Sequence, residues 1–124
     1  MKKENFFVDE KEVNIEVFGE IFKFKPVTGG DELDWMDDYI DEEEVEIDGK
    51  KYLERKENKK KLNLCKLRNI TSIPYSKEEL NATFNINKEF KDFTKNEKDL
   101  FFRKLDAKVL GVLLNFIEDS SKKD

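Results

Sequence analysis

Along residues 12 to 17, Val13, Ile15 and Val17 alternate with Glu12, Asn14 and Glu16, the two-residue period of a strand with one face in a core and the other in water. Phe22 and Phe24 alternate with Ile21, Lys23 and Lys25 in the same way. Gly19-Glu20 between the runs fits a two-residue type II′ turn with Gly in first place. That turn predicts a hairpin with Val17 opposite Phe22 and Ile15 opposite Phe24 on the core face, and Glu16 opposite Lys23 on the other. Pro26 has no N–H for a ladder and holds Lys25 extended, so the second strand ends there.

Beyond Pro26 the period lengthens. Leu33, Met36 and Ile40, with Trp35 and Tyr39 beside them, form the apolar face of a helix of about three turns. Thr28 or Asp31 can cap it, and Asp31, Glu32 and Asp34 sit at its positive end. Gly29-Gly30 therefore reads as a strand-to-helix turn, because carboxylates follow at once and would repel the anion of a phosphate loop. Asp48-Gly49 fits a type I′ turn placing Val45 opposite Tyr52 and Glu46 opposite Lys51, or equally a surface loop.

Leu53, Leu64, Cys65 and Leu67 predict a helix starting near Glu54 and stopped before Pro74, with residues 42–60 a charged spacer. Ser76-x-x-Glu79 and Thr94-x-x-Glu97 are capping-box patterns that open two further helices. The aromatics of "NINKEFKDF" between them are expected to pin that turn to the core. Asp106 can cap a last helix, "AKVLGVLLNFIED". Residues 1–10 and 119–124 read as loosely held ends. The expected fold class is α+β, an N-terminal β-hairpin followed by a mostly α-helical domain of four or five helices, with 1–124 one domain.

The last helix is unusually apolar. Lys108, Gly111, Asn115 and Glu118 share one stripe at 100° per residue, and nearly everything else is hydrophobic. Either the helix lies centrally with elements on both sides, or Val112 and Phe116 on one flank, or Leu114 on the other, are left for a hydrophobic partner. The Trp35 and Tyr39 face of the first helix is a second candidate contact surface.

Composition narrows the chemistry. The chain has 124 residues, 43% of them charged, 11 Phe, a single Cys and no His. Without His, the commonest general base and the usual nucleophile-activating pairs are absent. Cys65 alone forms neither an internal disulfide nor a multi-thiolate metal site. The remaining catalytic candidates, carboxylate pairs such as Asp34 and Asp38, sit on an exposed helix face where no pKa shift is expected. No enzyme activity and no cofactor are expected.

Charge comes in blocks: residues 31–48 hold eleven acids and no base, and residues 49–68 hold nine bases and two acids. "DDYIDEEEVEID" lacks the central Gly of a calcium loop, so the acids read as solvated surface. Carboxylates along a helix could instead imitate DNA phosphates, although the basic block offers them an internal partner. Of those bases only Arg55 and Arg68 could fork onto a base edge and only Tyr52 could stack, so nucleic acid is not an expected partner. With no 18-residue apolar run and no secretory leader pattern, the expectation is a soluble intracellular protein with no membrane partner.

The order of these features, "FKFKPVTGGDELDWMDDYID", a charged spacer, "KLNLCKLRNITSIPYSKEEL" and "NEKDLFFRKLDAKVLGVLLNFIED", resembles the small tail assembly chaperones of long-tailed bacteriophages. The likeness covers residues 12 to 118. It rests most on the basic-Pro-x-Thr-Gly-Gly turn before an acidic helix, and on "CKLRNI" leading into x-Pro-Tyr-x-Lys-Glu. The resemblance implies a non-enzymatic protein of the host cytoplasm, absent from the mature virion. It would coat the hydrophobic tape measure protein, recruit tail-tube subunits, and self-associate. Partner contacts are assigned to Trp35, Tyr39, Val112, Leu114 and Phe116. The rival readings are a phage minor structural or connector protein, and a small acidic inhibitor of a host nucleic-acid enzyme.

Overall fold

The computed structural model describes residues 7–121. The first hairpin joins β1 (Val13–Val17) to β2 (Glu20–Phe24), and a short β5 (Ile70–Ser72) adds to the free edge of β2, giving the order β1-β2-β5. The turn is Phe18-Gly19, not Gly19-Glu20. Both residues have positive φ, 50° and 84°, as a type I′ turn demands. The pairs are therefore Val17 with Glu20, Ile15 with Phe22 and Val13 with Phe24, two residues away from the expected register. Because the slip is two and not one, every side chain keeps its face. Ile15, Val17, Phe22 and Phe24 are all buried, as the alternation requires.

Helix α1 (Gly29–Tyr39) starts from a complete capping box. The Asp31 N–H donates to the Thr28 hydroxyl at 3.1 Å and the Thr28 N–H donates to the Asp31 carboxylate at 3.0 Å. The apolar face expected for this helix is not continuous. Trp35 is buried, but Leu33 is 69% exposed, and Ile40 has left the helix to begin a strand.

The largest departure from expectation lies in residues 40–57, where the charged spacer and the start of the expected long helix fall. They form a second hairpin, β3 (Ile40–Ile47) and β4 (Lys50–Glu57), closed by Asp48-Gly49 with φ of 53° and 78°. Of the two readings of Asp48-Gly49 the turn is the one formed, with Val45 opposite Tyr52 and Glu46 opposite Lys51. Glu42 faces Arg55 and Asp41 faces Lys56, although Glu43 faces Glu54, so cross-strand charge pairs support the turn in a stretch whose composition is nearly all polar. Helix α2 (Lys59–Leu67) consequently starts at Lys59, capped by Asn58, and Leu53 stands exposed on β4.

The rest follows its signals. Helices α3 (Lys77–Phe84) and α4 (Lys95–Lys104) carry both expected capping boxes, with a 3-10 turn at Phe90–Asp92 between them. Helix α5 (Ala107–Ser121) starts where Asp106 Oδ1 accepts from the Lys108 N–H at 2.8 Å. It extends beyond the expected fraying point, and Ser120 Oγ donates back to the Ile117 carbonyl at 2.8 Å. The described residues thus contain five α-helices after an N-terminal β-hairpin, an α+β fold. The expected loose ends at residues 1–6 and 122–124 lie outside the described residues, as does Phe6. Phe7 is 86% exposed and does not tuck onto the core.

The core lies between the first sheet and the helices behind it. Leu113 and Ile117 of α5 are buried against it, and Phe116 meets Phe24 edge-on with centroids 6.4 Å apart. A second aromatic group brings Phe90, Phe93, Phe101 and Phe102 together, with adjacent ring centroids between 5.1 and 6.1 Å. The "NINKEFKDF" aromatics Phe90 and Phe93 do pin that turn to the core. Such aromatic pairs add stabilisation beyond the area they bury, in a chain with 11 Phe.

Candidate functional site

The five residues proposed as partner contacts do not form one surface. Trp35 is 7% exposed on α1, the helix lying along α2, and has little area left to offer. Tyr39 is half-buried at the end of α1, where its carbonyl accepts from the Asn58 N–H at 2.8 Å. Val112 is exposed, Phe116 is half-buried and packed on the core, and Leu114 is half-buried on another side of α5. At 100° per residue Val112 and Leu114 point in nearly opposite directions, so α5 is covered along Leu113 and Ile117 and open on its flanks.

Leu114 belongs to an apolar groove of about 380 Å³ between α2, α4 and α5. On α2 the lining residues are Lys60, Asn63, Leu64 and Leu67, spaced i, i+3, i+4 and i+7, so they form one straight stripe. Leu110 and Leu114, one turn apart, make the α5 wall. Buried Leu67 and Phe102 form the floor, and half-buried Leu64, Leu110 and Leu114 form the sides. The two charged lining residues, Lys60 and Arg103, are both exposed cations. Neither makes an ion pair among the described residues, unlike Lys25, Lys51, Arg55, Lys61, Arg68 and Lys88. Sequence reasoning selected Leu114 but missed the groove. Its signal was present in the α2 stripe, obscured by extending that helix back to Glu54.

A larger cleft of about 450 Å³ opens near the start of α3. Lys77 and Glu78 in its walls present both signs of charge beside Thr71 and Ser76, so it gives no direction to a charged or an apolar ligand.

Arg68 fixes how the groove helices sit. At the C-terminal end of α2 its Nη1 donates to Asp38 Oδ2 of α1 at 2.7 Å. Its Nε and Nη2 fork onto Asp99 of α4 at 3.3 and 3.0 Å. The Arg68 side chain is only 15% exposed. Burial alone would disfavour its charge, but the hydrogen bonds that it donates to Asp99 and Asp38 outweigh that and raise its pKa further. The Arg68 hydrogen bond likewise holds the Asp38 carboxyl below the usual carboxylate range. Sequence reasoning treated Arg68 only as a possible base reader. Nothing local marks it as a clamp, since its partners lie 30 and 31 residues away.

Cys65 is fully buried on α2, with Arg68 Nη1 3.6 Å from its Sγ. Burial pushes its thiol pKa up, which leaves little thiolate for nucleophilic chemistry. Lys98 has its pKa lowered by burial and by the Arg68 charge, and its Nζ stands 5.4 Å over the Phe90 ring. Among the described residues no group of His, Cys, Asp or Glu is placed to hold a metal ion, and no polar or charged residue is fully buried.

The second hairpin forms an arm with both faces largely in water. Four of its eight acids, Asp41, Glu42, Glu44 and Glu54, are matched within the hairpin or at its root. Arg55 lies 3.4 Å from Glu42 and Lys51 3.7 Å from Glu44. Asp41 accepts from Lys61 Nζ at 2.7 Å and from Asn58 Nδ2 at 3.0 Å. No helix among the described residues is long and apolar enough to cross a membrane. In comparisons with known proteins, the chain matches no family model, no curated protein and no solved structure.

Proposed function

We propose that this chain is a tail assembly chaperone of a long-tailed bacteriophage. It would work in the host cytoplasm by reversibly shielding apolar helical segments of the tape measure protein and helping to recruit tail-tube subunits. The observation that carries the reading is the apolar groove holding Leu114, in a chain whose order of sequence features resembles that family. A surface of this kind suits an amphipathic helix, the commonest way one chain covers another's hydrophobic stripe. The high charge fraction of 43% would keep such a complex in solution. The acidic block is less suited to mimicking nucleic acid, because Arg55, Lys51 and Lys61 already meet its carboxylates.

The test is coexpression with a tape measure protein from the same genome. The tape measure protein is expected to move from the insoluble to the soluble fraction and to copurify, while purified virions lack this chain. Detection of the chain in virions would instead make it a structural or connector protein. Inhibition of a host nuclease or polymerase that fades as salt rises would favour the inhibitor.

A further inference from the structure

We infer that the α2, α4, α5 groove selects its helical partner by charge, taking amphipathic helices whose apolar stripe is flanked by Asp or Glu; this rests on the chaperone reading. The groove residues Leu64, Leu67, Phe102, Leu110 and Leu114 give an apolar floor and two largely apolar walls, with Asn63 the one uncharged polar residue among them. Its charged rim is cationic and lies on both sides, Lys60 on α2 and Arg103 on α4. In a protein of net charge −5 with 29 acids and 24 bases, a lining with two cations and no carboxylate runs against the overall balance.

The cations are also uncommitted. The ion pairs among the described residues go to other cations: Asp38 and Asp99 to Arg68, Asp41 to Lys61, and Glu97 to Lys88. Lys60 and Arg103 keep their charge for an incoming group. A helix bearing Lys or Arg beside its apolar stripe would meet them head-on, and like-charge contact is a strong means of rejection.

The dimensions suit a short helical segment. From Lys60 to Leu67 the α2 wall runs seven residues, roughly 10 Å at 1.5 Å per residue. About two turns of a docked helix fit that length, presenting apolar residues at i, i+3 or i+4, and i+7.

The probes are two fluorescein-labelled designed peptides of about 18 residues, long enough to hold helix. They share one Leu stripe and differ only in flanking Glu or flanking Lys. Fluorescence anisotropy with the full chain is expected to show tighter binding of the Glu-flanked peptide. The double variant Lys60→Glu, Arg103→Glu is expected to invert the preference, with a change of roughly tenfold or more in the ratio of the two affinities. Both sites are exposed; Glu suits the first turn of α2 and costs less than about 1 kcal/mol in the last turn of α4, so this variant should fold, and its circular dichroism serves as the control. Leu114→Glu should weaken both peptides.

Equal binding of the two peptides, an unchanged preference in the double variant, or binding of neither would overturn the inference. A dimer in sedimentation that Leu114→Glu dissociates would also overturn it, by making a second copy the occupant. If the charge inversion appears but the tape measure protein is not captured, the groove stands and the chaperone reading fails. If capture persists in the double variant and in Leu114→Glu, the chaperone reading stands and the groove assignment fails.

Discussion

Replacing Arg68 with Met keeps most of the apolar stem and removes three charge-assisted hydrogen bonds. The cost can be divided between its two partners. The forked contact to Asp99 is shielded, with the arginine 15% and the aspartate 19% exposed, so about 2 kcal/mol is expected there. The contact to Asp38 is shorter, 2.7 Å, but that carboxylate is 40% exposed, and solvent screening reduces it to about 0.5 kcal/mol. The total loss is therefore about 2 to 3 kcal/mol, part of it the penalty of leaving Asp99 half-desolvated without a cation.

Urea unfolding followed by circular dichroism at neutral pH measures this as a lower midpoint with unchanged slope. Double-mutant cycles separate the partners. Coupling of Arg68→Met with Asp99→Asn should be about 1.5 to 2 kcal/mol, and with Asp38→Asn only about 0.5 kcal/mol. A coupling to Asp99 below about 0.5 kcal/mol, or a larger coupling to Asp38, would refute the division by burial. Because Asp99 is on α4 and Arg68 ends α2, the same variant should also loosen two walls of the groove and weaken helix binding there.

Three further outcomes are expected. Asp31 and Asp38 have folded pKa values below 3.8; for Asp31 burial works against this but is outweighed by the Thr28 and Asn69 hydrogen bonds. Their stabilisation is thus complete above the unfolded value of about 3.9 and is lost as pH falls through the folded values. Stability measured between pH 6 and pH 2 should decline at the acid end, and the Asp38→Asn variant should show a shallower decline; identical slopes would exclude the Arg68 contact as a source. Phe116→Asp should cost about 2 to 3 kcal/mol, since that ring packs on Phe24. Val112→Asp on the exposed flank should stay within about 1 kcal/mol, and thermal denaturation of the pair shows whether α5 is buried on the side described. Phe18 sits at φ 50° and is 72% exposed, so Phe18→Asn should raise stability by about 0.5 to 1 kcal/mol by suiting the left-handed turn; a lower melting temperature would mean that the exposed ring contributes more than the strain costs.

What could be read from the sequence was whatever is settled within four or five residues. The capping boxes at Ser76 and Thr94 close over three residues, Asp106 reaches two residues forward, and the alternation from Val13 to Phe24 needs only the pleat of a strand. All are present as anticipated. The hairpin register was not legible, because a slip of two leaves the same four side chains on the same face and the hydrophobic pattern cannot tell the alternatives apart. The decision lay with the turn, where Gly19 takes the second place and Phe18 bears the left-handed conformation.

In residues 40–57 the Asp48-Gly49 turn was one of two open readings, while strands as far as Ile40 and Glu57 were not foreseen, for a related reason. Their charges hide any amphipathic period, and the register comes from the Asp48-Gly49 turn together with the facing of Glu46 with Lys51, Glu42 with Arg55 and Asp41 with Lys56. The groove and its clamp depend on tertiary structure more completely still. Leu67, Phe102 and Leu110 become one surface only when three helices meet, and Arg68 becomes structural only when Asp38 and Asp99 arrive from 30 and 31 residues away. Local hydrogen bonding and periodicity act between chain neighbours and can be read from their order, whereas packing and ion pairing act between spatial neighbours that exist only once the chain has folded.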